Sequence, residues 1–533
     1  MEAIIVTQNR HENGKLPHDV ESFWRAEVDF PEFPSLQEDL SVDVVIVGAG
    51  ITGITAAYLL AEEGLEVAVL EAGKVLNGTT GHTTAKITAQ HDLIYDEFIN
   101  NLGRSKARLY YEANSKALAF IKETVEQHQI DCDFNVQDAY LYATTEQGAG
   151  KIEKEAEAYE KIGIDGGLVD VDQFPFPIAN VQNLIVMKDQ AQFHPTKYLV
   201  HLIRLFLEKG GRIFEGTTAV NVETGERPVV LTREEHRVSA KHVLACTHFP
   251  FYEGTGLYST RMYADRSYAL AIKTKKKFPG GMYLSADQPN RSLRSADDNG
   301  QELVIIVGES HKTGQGKDTM EYYKALETFG EEVFGIEEVV YRWSAQDLVT
   351  LDNLPYVGAL TEGQSNILIA TGFRKWGMSN GTAAALLFRD LVTGKENRFQ
   401  KLYSPSRFYV QPSLKNFLVQ NANVVGQLIK GKLDSPSTKP EELSNGEGAV
   451  VTLDGHRKGA YRDDEGNIHI VDTTCTHIGC EVEWNSGDRT WDCPCHGSRF
   501  SFTGEVIDGP AEKPLQKYDY TMLDNLTSED SGY

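Results

Sequence analysis

The sequence predicts a chain of several domains: an α/β dinucleotide-binding unit, a strand-rich middle and a small all-β domain at the end. Three observations predict it. A glycine fingerprint lies between two apolar strands at residues 42–73. Strand-like runs recur across about 256–337. Four of the six cysteines and two histidines crowd into Thr473–Phe500. A chain of 533 residues exceeds what one hydrophobic core supports, so about three domains are expected. Residues 1–40 read as an N-terminal extension, 41–400 as the discontinuous α/β and sheet unit, 401–442 as a linker and 443–533 as the final domain.

Composition narrows the function. A formal net charge of −25 disfavours nucleic acid and anionic membrane surfaces, which need a basic face. Six cysteines in this length are too few for a disulfide scaffold. The opening residues carry no long apolar signal core. The apolar stretch 42–61 contains glycines, threonines and Asp43, which suit a buried strand–turn–helix better than a membrane span. The expectation is a cytoplasmic protein without a transmembrane segment.

Val44–Val47 form an apolar run, read as a buried parallel strand. Gly48, Gly50 and Gly53 follow as G-x-G-x-x-G. The first permits a tight turn, the second admits a pyrophosphate, and the third lets helix and strand pack closely. The helix from about Thr52 to Glu63 points its first amides at the phosphates. A second strand, Val67–Leu70, ends at Glu71, where a ribose diol would be held, with Ala72 beside it. The spacing predicts a Rossmann-like fold. It does not separate NAD from FAD.

Several later blocks resemble the D-amino-acid oxidase and glycine oxidase family of flavoproteins. The segment "NGTTGHTTAKIT" (77–88) looks like its glycine-rich stretch after the second strand. "QFHPTKYLVHLIRLFLEKGGRIFEGTTAVNV" (192–222) looks like its path to an adenine-contacting valine, here Val220. "HVLACTHFP" (242–250), "RWSAQDLVTLDNLPYVG" (342–358) and "NILIATGFRKWGMSNGTAAALL" (366–387) look like its remaining nucleotide and flavin blocks. The resemblance implies one FAD, with Thr79, Thr80, His82, Gly372, Gly377, Met378 and Gly381 beside it. No second glycine fingerprint is present for NAD(P)H. In some relatives a histidine in the segment matching His82 is bonded covalently to the flavin; in others the flavin is held noncovalently.

The last block also reads without the family. "ILIATG" is a strand, Ser379 and Asn380 are helix N-cap candidates, Thr382–Val392 is the helix and Gly394 its end. A helix N-terminus aimed at the flavin would stabilise negative charge on it. Arg374 and Lys375 depart from the small residues usual in the family, and are expected at solvent or between domains. The resemblance places the middle strands in an antiparallel substrate-domain sheet over the flavin. Tyr263, Arg266, Tyr268 and Tyr283 are its pocket candidates, each also readable as an ordinary strand residue. Asp189, His194 and His201 have the wrong spacing for a facial metal triad.

The linker holds one amphipathic helix, with Leu414, Phe417, Leu418, Asn421, Val425, Leu428 and Ile429 near one face. That face is expected to pack on the flavin domain.

Cys475-Thr-His477 and Cys493-Pro-Cys495-His496 contain C-x-H and C-x-x-H. Two loops each offering one thiolate and one imidazole suit a [2Fe–2S] cluster with cysteines on one iron and histidines on the other. Zinc is the rival, but its sites usually pair cysteines at C-x(2–4)-C. "CTHIGC" and "CPCHGS" resemble Rieske proteins. The resemblance implies ligands Cys475, His477, Cys493 and His496, a disulfide Cys480–Cys495, and a cluster hydrogen bond from Ser498. Phe500 stands where high-potential relatives have a tyrosine. "DGPAEKPL" (508–515) resembles the proline loop that covers the cluster.

The whole implies an FAD- and Rieske-dependent oxidoreductase. Its flavin would dehydrogenate an amine or amino-acid-like substrate and exchange single electrons with the cluster, which an unidentified one-electron acceptor or donor would serve. A non-catalytic electron-transfer or redox-sensing protein, and electron flow in the reverse direction, are the alternatives.

Overall fold

The computed structural model describes residues 16–407, 410–433, 438–453 and 455–520, with side chains of the helix Val410–Leu433 described for 416–429. Residues 1–15 of the extension, 521–533 of the final domain and the side chain of Leu414 lie outside the described residues.

The nucleotide domain is built on an eight-stranded sheet. Leu40–Val47 lies at its centre, paired in parallel with Val67–Leu70 on one side and Arg237–Ala245 on the other. Val44, Val45 and Ile46 are fully buried, as a strand covered on both faces requires. The helix Ile51–Glu62 follows the glycine turn, and the helix Gly377–Val392 packs against it.

The second sheet has nine strands. Beyond the stretch expected, it takes in Lys86–Ile87, Asn135–Ala143, Gly166–Val169, Asn183–Gln192 and Ile336–Thr350. Most of its pairings are antiparallel; Met282–Ser285 with Asn135–Ala143 is parallel. Met262–Thr274 sits between Ile336–Thr350 and Gln301–Lys312.

The C-terminal domain consists of two four-stranded antiparallel sheets. It is seated on the nine-stranded sheet through a buried ion network. Arg266, with a side chain 0% exposed, lies 3.0 Å from Asp488; Arg499 lies 3.0 Å from Asp488, 3.2 Å from Asp492 and 3.1 Å from Asp508. Burial raises the Asp488 carboxyl, but Arg266 and Arg499 outweigh it and hold it below the ordinary range. Arg342 donates to Gly487 O at 2.7 Å, and Thr319 Oγ1 to Asn485 Oδ1 at 2.7 Å.

The linker helix differs from expectation. Polar side chains make its contacts with the flavin unit: Asn416 donates to Leu351 O at 2.8 Å and Asn421 to Thr260 O at 3.2 Å. Val424 and Leu428 pack on the core of the C-terminal domain, while Leu418, Val425 and Ile429 are exposed. Amphipathic spacing identified a helix but not its buried side, because amides make the contact. No described helix is long and apolar enough to cross a membrane.

Candidate active site and cluster site

A cavity of about 1010 Å³ opens at the end of the central parallel strands, between the two sheets. Gly48, Gly50, Glu71, Ala72, Thr79, Thr80 and His82 line it. Gly48 has φ +103°, and a Cβ there would fall 2.5 Å from Cys246 O. A Cβ on Gly53 would fall 1.9 Å from Gly48 O, so only glycine lets helix and turn approach. Gly50 caps the helix Ile51–Glu62 without a side-chain hydrogen bond, which leaves the helix N-terminus facing the cavity. Glu71 Oε2 accepts from Ala49 N and Oε1 from Gly73 N, both at 2.9 Å. Thr80 Oγ1 accepts from Ile51 N at 3.0 Å. The buried Nε2 of His248, also on the cavity wall, has no partner. A cavity with a helix N-terminus at its wall, an acidic residue at the second strand and an orphaned ring nitrogen fits a dinucleotide.

In the C-terminal domain two loops converge. Cys475 N donates to Cys480 O at 2.7 Å, and Cys493 N to Ser498 O at 2.8 Å. A disulfide joins Cys480 to Cys495, tying the loops together. Cys475 and Cys493 are free and buried, and their thiols hydrogen-bond to each other. The rings of His477 and His496 lie 5.0 Å apart at 84°. Burial lowers both imidazoles, His496 to about 4, so both are neutral, the form that binds metal. His496 Nδ1 is buried with no partner. Two thiols, two neutral imidazoles and an orphaned nitrogen fit the two-cysteine, two-histidine cluster. Ser498 is fully buried; its Oγ accepts from Ala511 N at 3.0 Å, and its hydroxyl hydrogen-bonds to Cys475.

Residues 43–391 match the family model described as FAD dependent oxidoreductase (DAO). The chain belongs to that family. Residues 435–519 match the Rieske [2Fe-2S] domain. Its cofactors are therefore FAD and a Rieske [2Fe–2S] cluster. The chain is 52% identical over 511 residues to YhfW of Bacillus subtilis (strain 168), described as a Rieske 2Fe-2S iron-sulfur protein; the match covers 96% of this chain and 99% of that one. It is 23% identical to the gamma-glutamylputrescine oxidoreductase of Escherichia coli (strain K12), over 69% of this chain and 88% of that one. The solved glycine oxidase from Geobacillus kaustophilus has the same fold over 69% of this chain and 99% of its own, with a TM-score of 0.58 and 19% identity.

Within this FAD-dependent oxidoreductase, Gly377 and Met378 line the cavity. Gly372, Gly381 and Val220 do not line it. Gly372 (φ +74°) ends the strand Ile367–Thr371, and Gly381 packs on the fingerprint helix, where a Cβ would meet Thr52 Oγ1 at 2.8 Å. Val220 lies at an irregularity in its strand, and its neighbours Thr218 and Ala219 form the lining. His82 Nδ1 is 3.0 Å from Gly78 O.

Three pocket candidates are corrected. Along Met262–Thr274, Tyr263, Asp265 and Ser267 line the cavity, so the alternate residues Arg266 and Tyr268 point away from it. Arg266 enters the ion network, and Tyr268 stacks on Tyr322 and His311. Tyr283 stacks on Tyr140 at 4.9 Å and packs on Phe176, while its neighbour Leu284 lines the cavity. Only Tyr263 of the four faces the cavity.

The flavin-side helix begins at Gly377, so Ser379 and Asn380 belong to its first turn and do not cap it. Ser379 Oγ instead lies 3.0 Å from His91 Nε2, and Asn380 donates to Tyr110 at 3.3 Å. Arg374 and Lys375 line the cavity rather than facing away: Arg374 donates to His91 O at 2.8 Å, and Lys375 lies 3.1 Å from Asp265.

Sequence reasoning missed Lys86, Asp265 and Asp347, all on the cavity wall. Burial lowers the Lys86 ammonium to about 7 and raises the Asp347 carboxyl to about 7. The available signal was a lone charge inside each short strand run, "TTAKIT" and "SAQDLVT".

Proposed function

We propose that this FAD- and Rieske-dependent oxidoreductase dehydrogenates an amine at the carbon next to nitrogen and passes the electrons singly to its own cluster. FAD, when bound, takes two electrons at once and gives them up one at a time, which the cluster requires. One observation supports the coupling above all: Ala511 lines the flavin cavity, and its N–H donates to Ser498 Oγ beside the cluster ligand Cys475. The ligand loop is also held from the cavity wall, since Gln346 Nε2 donates to Gly497 O at 2.9 Å. Gln346 sits between Ala345 and Asp347, both cavity-lining. The proline loop expected to cover the cluster therefore also closes one side of the flavin cavity.

The chain's own groups serve an amine substrate. Lys86 and Asp347 are each poised to change protonation near neutral pH. The N-terminus of the helix Gly377–Val392 lies on the cavity wall and would favour negative charge on a flavin held there. The likeness to an oxidoreductase named for γ-glutamylputrescine supports an amine-type substrate. Anaerobic mixing with a panel of amines tests the reading. Flavin absorbance should bleach with at least one of them; a panel that leaves the flavin oxidised, while dithionite reduces it, contradicts the reading.

A further inference from the structure

The cations around the inner cavity wall already have protein acceptors. Lys86 Nζ donates to Tyr283 O at 2.9 Å, Lys375 lies 3.1 Å from Asp265, and Arg374 donates to His91 O at 2.8 Å. Asp347 differs. It is 8% exposed, it lines the cavity, and no described residue donates to its carboxylate. The residue directly opposite on the neighbouring strand is another carboxylate, Asp265, which is taken up by Lys375. Its carboxylate reaches the cavity, so the donor that the protein does not provide comes from a ligand or water there.

We propose that Asp347 anchors a cationic amine, so that the substrate is an amine lacking a carboxylate beside its reacting nitrogen. This rests on the amine-dehydrogenation reading. Lys375, Arg266 and Arg374 act on the carboxylate only through space, whereas an ammonium brings up to three N–H donors to it directly. A substrate carboxylate in the same place would meet like charge. Ionised Asp347 can also take one ammonium proton: an N–H bond breaks, an O–H bond forms, and the amine is left with the free lone pair that dehydrogenation needs. The raised carboxyl, near 7, suits that exchange.

The test uses the holoprotein and matched probes: ethylamine against alanine, and dimethylamine against sarcosine. Anaerobic flavin reduction should be at least tenfold faster with the carboxylate-free amine of each pair than with its carboxylated partner. Titration of the flavin absorbance by the preferred amine should show at least a tenfold weaker apparent Kd in Asp347→Asn. Asp347→Glu should recover most of that loss, and FAD content and the cluster's EPR signal should be unchanged in both. Faster reduction by alanine or sarcosine would overturn the inference and leave amine dehydrogenation standing, with Arg374 or Lys375 receiving the carboxylate. An unchanged Kd in Asp347→Asn would overturn it as well. If neither member of either pair reduces the flavin or perturbs its spectrum, the amine reading falls and takes this inference with it.

Discussion

Alternate residues of one strand, Met262–Thr274, divide two different environments. Tyr263, Asp265 and Ser267 face the flavin cavity, whereas Ala264 and Arg266 face the Rieske domain, where a Cβ on Gly497 would fall 2.3 Å from that of Ala264. The cavity face keeps a carboxylate without a donor, at Asp347 on the adjoining strand. The Rieske face pairs its charges: Arg266 and Arg499 meet Asp488, Asp492 and Asp508. The difference separates binding from docking. On the cavity side Asp347 is left for a ligand, and the charges on the other side are spent on holding the cluster domain against the wall.

Emptying one side separates the two environments most clearly. Cys475→Ser and His496→Ala should each abolish the Rieske EPR signal and the bound iron while FAD stays at one per chain. Gly50→Asp should do the converse: it places a carboxylate in the open helix end, repels the pyrophosphate and loses FAD with the cluster retained. Iron and flavin assays on the purified variants check both, and a variant that loses both groups would deny that the two sites are built independently.

The cofactor sites were more legible in the sequence than the substrate wall. The cluster set lies within twenty-two residues of sequence, 475–496, and its donor atoms are named by residue type alone. Pattern was enough. The nucleotide fingerprint was legible for the same reason: its glycines are required by local backbone geometry, as the 1.9 Å approach at Gly53 shows. The substrate wall was not legible. Its residues come from distant strands, and the choice between Asp265 and Arg266 depends on which face of the sheet is covered. Period-two alternation marks two faces without saying which is the pocket. The docking network was invisible too, because Arg266 and Asp488 are 222 positions apart in sequence.

A smaller effect tests docking. Arg266→Met removes one of two cations from around buried Asp488 and Asp492 and half-buried Asp508, so it should destabilise the protein by about 3–5 kcal/mol. A denaturant titration followed at both the cluster's visible band and the flavin band reads it. The cluster transition should move to lower denaturant first; coincident transitions with an unchanged midpoint would mean the network does not hold the domain.

The smallest effect concerns the cluster's potential. Rieske potentials span about −150 to +300 mV. The Ser498 hydroxyl hydrogen-bonds to the Cys475 sulfur; with the cluster bound such a bond would favour the reduced, more negative state, so Ser498→Ala should lower the potential. Phe500 is fully buried beside Trp491 and offers no such donor; Phe500→Tyr should raise the potential where the pocket admits the hydroxyl. Redox titration of the three proteins by EPR gives the order, and an unchanged potential in Ser498→Ala would remove the hydrogen bond.

The central claim is that electrons taken from substrate cross this one-strand wall to the chain's own cluster. Rapid-freeze EPR after anaerobic mixing with a flavin-bleaching amine tests it most directly. The reduced Rieske signal should grow with a rate constant that is first-order and independent of protein concentration. In His496→Ala the flavin should still bleach with no such signal. A fully bleached flavin beside a cluster that stays oxidised, or a signal whose rate rises with protein concentration, would contradict transfer within the chain.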